Sequence, residues 1–131
     1  MPVFVCHKPI EDWSVLMRGR PNLLISGFRD ATDALVLAVT PSWRLPVRRL
    51  ACEARLHLPP VGGTLILDAV DALDHEQQES LLRWLDDAQP AQTQVISLTT
   101  TRLYAHVQAG TFLSTLYYRL NTLYFEVSVA R

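Results

Sequence analysis

A three-layer α/β domain built on a parallel sheet is what this sequence predicts, and three observations predict it. Short apolar runs recur along the chain, each stopped by a turn residue or a carboxylate. Segments of helical period separate them, and parallel neighbours need such crossovers. Hydrophobic residues make up 49% and charged residues 19% of the 131 residues, the balance of a single globular domain with one core over 1–131.

The elements follow in order. Asn22 to Ser26 is an apolar run stopped by Gly27, a strand buried on both faces. Asp30 is placed to cap a helix from Ala31 to about Val39 that groups Ala31, Ala34, Leu35 and Ala38, and Pro41 ends it. Pro46 to Ala51 alternates as a second strand. Gly62 and Gly63 lead into Thr64-Leu65-Ile66-Leu67-Asp68, a strand ending in a carboxylate. Asp74 and Gln77 have capping-box spacing and open a helix to about Asp87, with Gln78, Leu81, Leu82 and Leu85 on one stripe and Pro90 beyond it. Val95 to Thr99 is a further strand, Arg102 to Ala109 a short helix closed by Gly110, Phe112 to Asn121 a helix, and Leu123 to Val129 a last strand.

Charge and cysteine content narrow the functional classes. Twelve Lys and Arg against 13 Asp and Glu leave a net charge of −1, which draws the chain to neither nucleic acid nor anionic membranes, so direct DNA binding is not expected. Cys6 and Cys52 are too few for a disulfide scaffold and suit a reducing cytosol, where both read as inert thiols. No apolar run has the length of a membrane span, and Met1 to Lys8 lacks the layout of a signal peptide, so a cytoplasmic protein is expected. His7, His57, His75 and His106 show no metal-ligand spacing.

Three segments carry a resemblance. Gly62 to Asp68, with Leu73 and the helix containing Gln78, Leu81, Leu82, Arg83 and Leu85, resembles the Walker B strand and following helix of the sigma-54 interaction domain. That domain is the AAA+ ATPase core of bacterial enhancer-binding transcription activators. Gly110-Thr111-Phe112 and Leu116-Tyr117-Tyr118-Arg119-Leu120-Asn121 resemble the family's arginine-finger segment, and Val95 to Arg102 its sensor I strand. The resemblance implies a minimal AAA+ core with an ancestral nucleotide site at the C-terminal ends of the strands. It also implies a deletion: only five residues, His57 to Val61, stand where the family inserts the loop that touches sigma-54. We expect no helical lid, response-regulator domain or DNA-binding helix-turn-helix.

Carried over residue by residue, the family's chemistry is largely altered. Gly27 matches the first glycine of the phosphate loop, but Thr32 stands at the second glycine and Asp33 at the lysine. A carboxylate about 4 Å from a phosphate charge costs roughly 4 kcal/mol at an effective dielectric near 20. Arg29 offsets part of that charge. Asp68 matches the magnesium-holding position and reads either as a metal ligand or as a polar strand end; the catalytic glutamate beside it is Ala69. Thr101 stands at the sensor I asparagine. Of two finger arginines one falls on Leu113, and Arg119 alone is kept, as a trans-acting group or as one half of an intrachain ion pair. Arg44, Arg48, Arg49 and Arg55 form the one basic cluster and read as a phosphate contact or a solvated face. The expectation is a non-catalytic regulatory or scaffold protein without cofactor. Its partner would be another protein, an intact sigma-54-dependent activator or a second copy of itself. The alternative is a nucleotide or anion binder without turnover.

Overall fold

The structure is a computed structural model that describes residues 3–5, 8–9, 21–39, 44–53, 55–88 and 92–129. Cys6, His7, Pro41 and Pro90, each read above, lie outside the described residues. In chain order the elements are β1 (Val3–Val5), β2 (Lys8–Pro9), β3 (Leu23–Gly27), α1 (Arg29–Val39), β4 (Val47–Ala51) and β5 (Thr64–Asp68). A 3-10 turn (Val70–Ala72) follows, then α2 (His75–Ala88), β6 (Gln94–Thr99), α3 (Leu103–Gln108), α4 (Ser114–Leu120) and β7 (Leu123–Val129).

One sheet runs in the order β2-β1-β7-β3-β6-β5-β4. Its five strands from β7 to β4 are mutually parallel, as expected from the alternation of strands and helices. The β1-β2 hairpin adds antiparallel to β7 at one edge. The sequence did not announce this hairpin, because three apolar residues are too short a run to show a period.

Helices cover both faces. On one face α1 sets Ala31, Leu35 and Val36 on Leu23, Ile25, Ile66, Ile96 and Leu98. On the other, α2, α3 and α4 bring Leu81, Leu85, Leu103, Leu116 and Leu120 onto Leu24, Leu65, Leu67 and Val95. Burial on both sides explains why β3, β5 and β6 read as mostly apolar runs without alternation.

The glycine pair before β5 has a steric reason. Gly63 has a φ of +69°, and a Cβ there would drive into the backbone carbonyl of Pro46, to which the Thr64 N–H donates at 3.0 Å. The Gly62 N–H donates to Thr93 Oγ1 at 2.5 Å and the Gln94 N–H to the Gly63 carbonyl at 3.1 Å, so the turn is tied to the start of β6.

Two side chains stitch the helices to the sheet. Asn22, just before β3, accepts from the Val95 N–H at 2.9 Å and donates to the Arg119 carbonyl at 3.0 Å. Gln78, 1% exposed, donates to the carbonyls of Leu73 (2.9 Å) and Thr111 (3.0 Å) and accepts from the Leu113 N–H (2.8 Å). Two of the three segments that carry the resemblance therefore meet through one buried amide. Two helix starts differ from expectation. α4 begins at Ser114, with Phe112 buried before it. α1 begins at Arg29, so Asp30 lies within its first turn and is not its cap.

Candidate functional site

A cleft of about 300 Å³ opens at the C-terminal ends of β5 and β6 beside the first turns of α1. Open parallel sheets place ligands at this end. The cleft gathers four of the sequence-derived positions, Arg29, Thr32, Asp68 and Ala69, and adds Glu53, Asp71, Thr99 and Thr100.

Between β3 and α1 no loop is available to wrap a ligand. β3 ends at Gly27 and α1 starts at Arg29, so Phe28 alone joins them. Positions 29 to 33, matched above to a phosphate loop, are helical. Gly27 lies against β7, where a Cβ would come within 2.6 Å of the Val127 carbonyl; its smallness serves strand packing. The Thr32 N–H donates to the Phe28 carbonyl (3.0 Å) and the Thr32 hydroxyl to the Arg29 carbonyl (3.0 Å), so both are used within the helix.

The charges are arranged around a residue that sequence reasoning placed elsewhere. Arg49, on β4, donates through Nε to Asp68 Oδ2 (2.6 Å) and through Nη2 to Asp68 Oδ1 (2.7 Å), a bidentate fork. The same Nη2 reaches Asp33 Oδ1 at 2.6 Å. The Asp68 hydrogen bond, followed by that of Asp33, pushes the Arg49 pKa up, so the guanidinium is a fixed cation. The side chains of Asp68 and Arg49 are 17% and 37% exposed. The basic cluster of the sequence is therefore not one patch. Arg48 donates to the Pro60 carbonyl (3.3 Å) and Arg44 to Gln92 Oε1 (3.4 Å), while Arg49 turns to α1. No local sequence signal marks this role: Arg49 shares a sheet face with Ala51, which is paired to Asp68, and only the strand register creates that neighbourhood.

Ala69 follows in the left-handed region, φ 55° and ψ 52°, a conformation that costs a β-carbon residue about 1 kcal/mol. The turn it makes sends Val70 into the core and brings Asp71 to the cleft. Asp71 Oδ2 accepts from the Thr101 hydroxyl at 3.2 Å, and that hydroxyl also lies 3.1 Å from His106 Nε2. His106 Nδ1 is 3.4 Å from Thr111 Oγ1. Sequence reasoning gave His106 no part; its two threonine partners, five residues to either side, are joined to it only by the turn into α3 and the turn after it. Burial pushes the Cys52 thiol up to about 12, aided by the charges of Asp68, Asp71 and Glu53, so the inert reading of this cysteine has a physical basis.

Arg119 is not brought to the cleft. It lies at the end of α4 beside Asn22, at the opposite end of the sheet, and its Nη1 pairs with Asp86 Oδ1 of α2 at 3.0 Å. Among the described residues no group of three His, Cys, Asp or Glu side chains is placed to hold a metal ion, and no helix is long and apolar enough to cross a membrane.

The profile of the sigma-54 interaction domain matches residues 48–129. The chain belongs to the sigma-54 interaction domain family. The matched stretch holds Arg49, Asp68, Ala69, Thr101 and Arg119, and Gly27 to Asp33 precede it. No curated protein sequence matches the chain.

Among solved structures, the fold is similar to that of part of NtrX from Brucella abortus. NtrX in complex with ADP is 20% identical over 86% of this chain and 33% of its own, with a TM-score of 0.66. NtrX in complex with ATP is 18% identical over 89% and 34%, with a TM-score of 0.63. A third NtrX structure is 20% identical over 84% and 33%, also at 0.63. The chain thus spans about a third of the length of these relatives.

The family implies a magnesium–nucleotide pair at this cleft, and the residues present do not fit one. Both carboxylate oxygens of Asp68 are engaged by Arg49. The next position is an alanine, and Asp33, matched above to the phosphate-binding lysine, is an acid bound to Arg49. What the cleft offers instead is Asp68 held by Arg49, two further acids, Glu53 and Asp71, a single arginine in its lining, Arg29, and threonines at its wall.

Proposed function

We propose that this protein is a non-catalytic regulatory or scaffold member of the sigma-54 interaction family. It would act in transcription regulation through protein–protein contact in the bacterial cytoplasm. The observation that carries this reading is the ion cluster: Asp68 and Asp33 spend their charge on Arg49, and Ala69 supplies no base to activate water. NtrX structures are known with ADP and ATP; here the positions that would meet such a ligand have changed sign or lost their side-chain chemistry. The five residues between Leu56 and Gly62 leave no room for an inserted loop to grip sigma-54. A protein with neither hydrolysis nor that loop has no free-energy source to remodel polymerase, so its influence runs through a partner. α4, with exposed Tyr118 beside Arg119, is the face proposed to meet an intact activator or a second copy.

The test adds the purified chain to a sigma-54 transcription reaction driven by its host's activators, alongside ATPase assays on the chain alone. We expect no magnesium-dependent turnover, no activation without another activator present, and a changed output when one is. Turnover abolished by Asp68→Ala, or activation by the chain alone, overturns the reading. A second reading, an anion binder without hydrolysis, is favoured by one observation: Arg29 lines an open cleft at the start of an 11-residue helix. Micromolar ATP or phosphate affinity by calorimetry, raised by Asp33→Lys, would select it.

A further inference from the structure

We propose that Arg49 is the built-in cation behind this cleft: its guanidinium occupies both oxygens of Asp68, the cleft acid matched to the magnesium-holding position, and it fastens α1 to the sheet in place of a bound ligand. The inference deepens the non-catalytic reading and rests on its account of the cleft, not on any protein partner.

The geometry makes the case. Two carboxylate oxygens from different elements, Asp33 Oδ1 on α1 and Asp68 Oδ1 at the end of β5, converge on the single nitrogen Nη2 at 2.6 and 2.7 Å. Convergence of oxygens on one centre is how carboxylates receive a cation. Nε closes the second arm on Asp68 Oδ2 at 2.6 Å, which fixes the guanidinium plane and leaves that carboxylate no oxygen free of Arg49. Without Arg49, Asp33 and Asp68 would be two like charges facing one gap, and like charges held this close repel. With it, the trio carries a single negative charge, from two acids and one base.

Three elements meet in this contact. Asp33 lies in the second turn of α1, Arg49 on the edge strand β4, and Asp68 on β5. α1 packs on a face of the sheet that it covers alone among the described helices, and its side chains there reach Ile66 and Val47 through the core cluster. The ion cluster adds a polar tie at the strand ends, where the helix starts after a one-residue joint. An arginine keeps its charge at any pH the protein meets, so the tie needs neither nucleotide nor metal to form. The inversion of lysine to aspartate at position 33 thus has a compensating partner, and an incoming divalent ion would have to expel a guanidinium held by three short hydrogen bonds.

Thermal melts of the full chain test this, with Mn²⁺ as the probe and ionic strength held constant. The wild type is expected to melt at one temperature with or without Mn²⁺. Arg49→Ala is expected to melt lower by roughly 4 °C or more and to regain much of that loss in millimolar Mn²⁺. Arg49→Ala combined with Asp68→Asn is expected to show no such recovery. Arg49→Lys, which folds with a charge but cannot fork, is expected to fall between wild type and Arg49→Ala, and it decides the question if Arg49→Ala is too unstable to purify. A wild-type melt that rises with Mn²⁺ overturns the proposal, as does an Arg49→Ala or Arg49→Lys melt equal to wild type. These outcomes are separate from those of the functional reading: ATP turnover, or no effect on any activator, would sink that reading and leave the melts to be judged alone.

Discussion

The two long helices of this domain begin in opposite ways. α2 starts with a capping box in which the Gln77 N–H donates to Asp74 Oδ1 (2.8 Å) and the Asp74 N–H donates to Gln77 Oε1 (2.9 Å). α1 starts behind Phe28, whose ring is 85% exposed and has no oxygen to offer the first turn. Its fixed point is instead the reach of Asp33 across to Arg49, 16 residues away in the chain. One helix start is written locally and the other is made by tertiary contact. The locally written start belongs to the half of the chain that carries the family strings, and the other borders the cleft where the family's chemistry is altered.

The largest expected effect breaks the locally organised half. Gln78→Ala removes three hydrogen bonds and leaves the Leu113 N–H and two carbonyls without that partner in the core. We expect a loss of about 2–3 kcal/mol, read as a lower urea midpoint at unchanged slope. Next comes Arg49→Ala. Its ion pairs are partly exposed and individually worth under about 1 kcal/mol, but their loss also leaves two facing carboxylates, so about 1–2 kcal/mol is expected in a denaturant titration. If Gln78→Ala proves the milder of the two, α1 and not α2 is the better anchored helix.

The same contrast explains what the sequence disclosed. β3, β5 and β6 were legible because burial on both faces forces continuous apolar runs, and β5 and β7 were placed to the residue. The capping box was legible because it needs only two residues three apart. The start of α1 was not: Asp30 has the side chain of a cap, but the strand runs one residue further, to Gly27, and the helix takes up at Arg29. Among the site residues, the altered positions Asp33 and Ala69 and the kept Asp68 were visible through the resemblance. Arg49 was not, because its role depends on β4 lying beside β5 and under α1, a fact of topology that no local pattern holds. His106 escaped for a similar reason, as its threonine partners are gathered by the turns at either end of α3. The cleft's acid Asp71 lies three residues beyond Asp68, and the left-handed turn at Ala69 is what brings it to the rim.

A smaller effect sharpens the comparison at the capped end. Asp74→Ala removes the cap and strands the Gln77 side chain, at a cost of about 1 kcal/mol. Asp74→Asn keeps an oxygen for the Gln77 N–H and is expected to retain most of that stability. Equal losses from the two variants would mean that charge at the helix end, and not the hydrogen bond, is what Asp74 supplies.

Asp30→Ala is the smallest and the most discriminating. If Asp30 were the cap of α1, its removal would cost as much as that of Asp74. The structure puts it one residue inside the helix, in the first turn, where its carboxylate contributes only its attraction to the positive end of the helix dipole. That is worth about 0.3–0.5 kcal/mol at an exposed site in low salt and is screened as salt rises. A cap hydrogen bond is not screened in that way. The pair of variants should therefore separate along ionic strength: the loss from Asp30→Ala fades between low salt and molar KCl, while the loss from Asp74→Ala persists. Paired denaturant titrations at the two salt concentrations read this directly. A salt-independent loss near 1 kcal/mol from Asp30→Ala would place the cap back on Asp30, move the start of α1 to Ala31, and lengthen the joint after β3 to the size of a short loop that could face an anion.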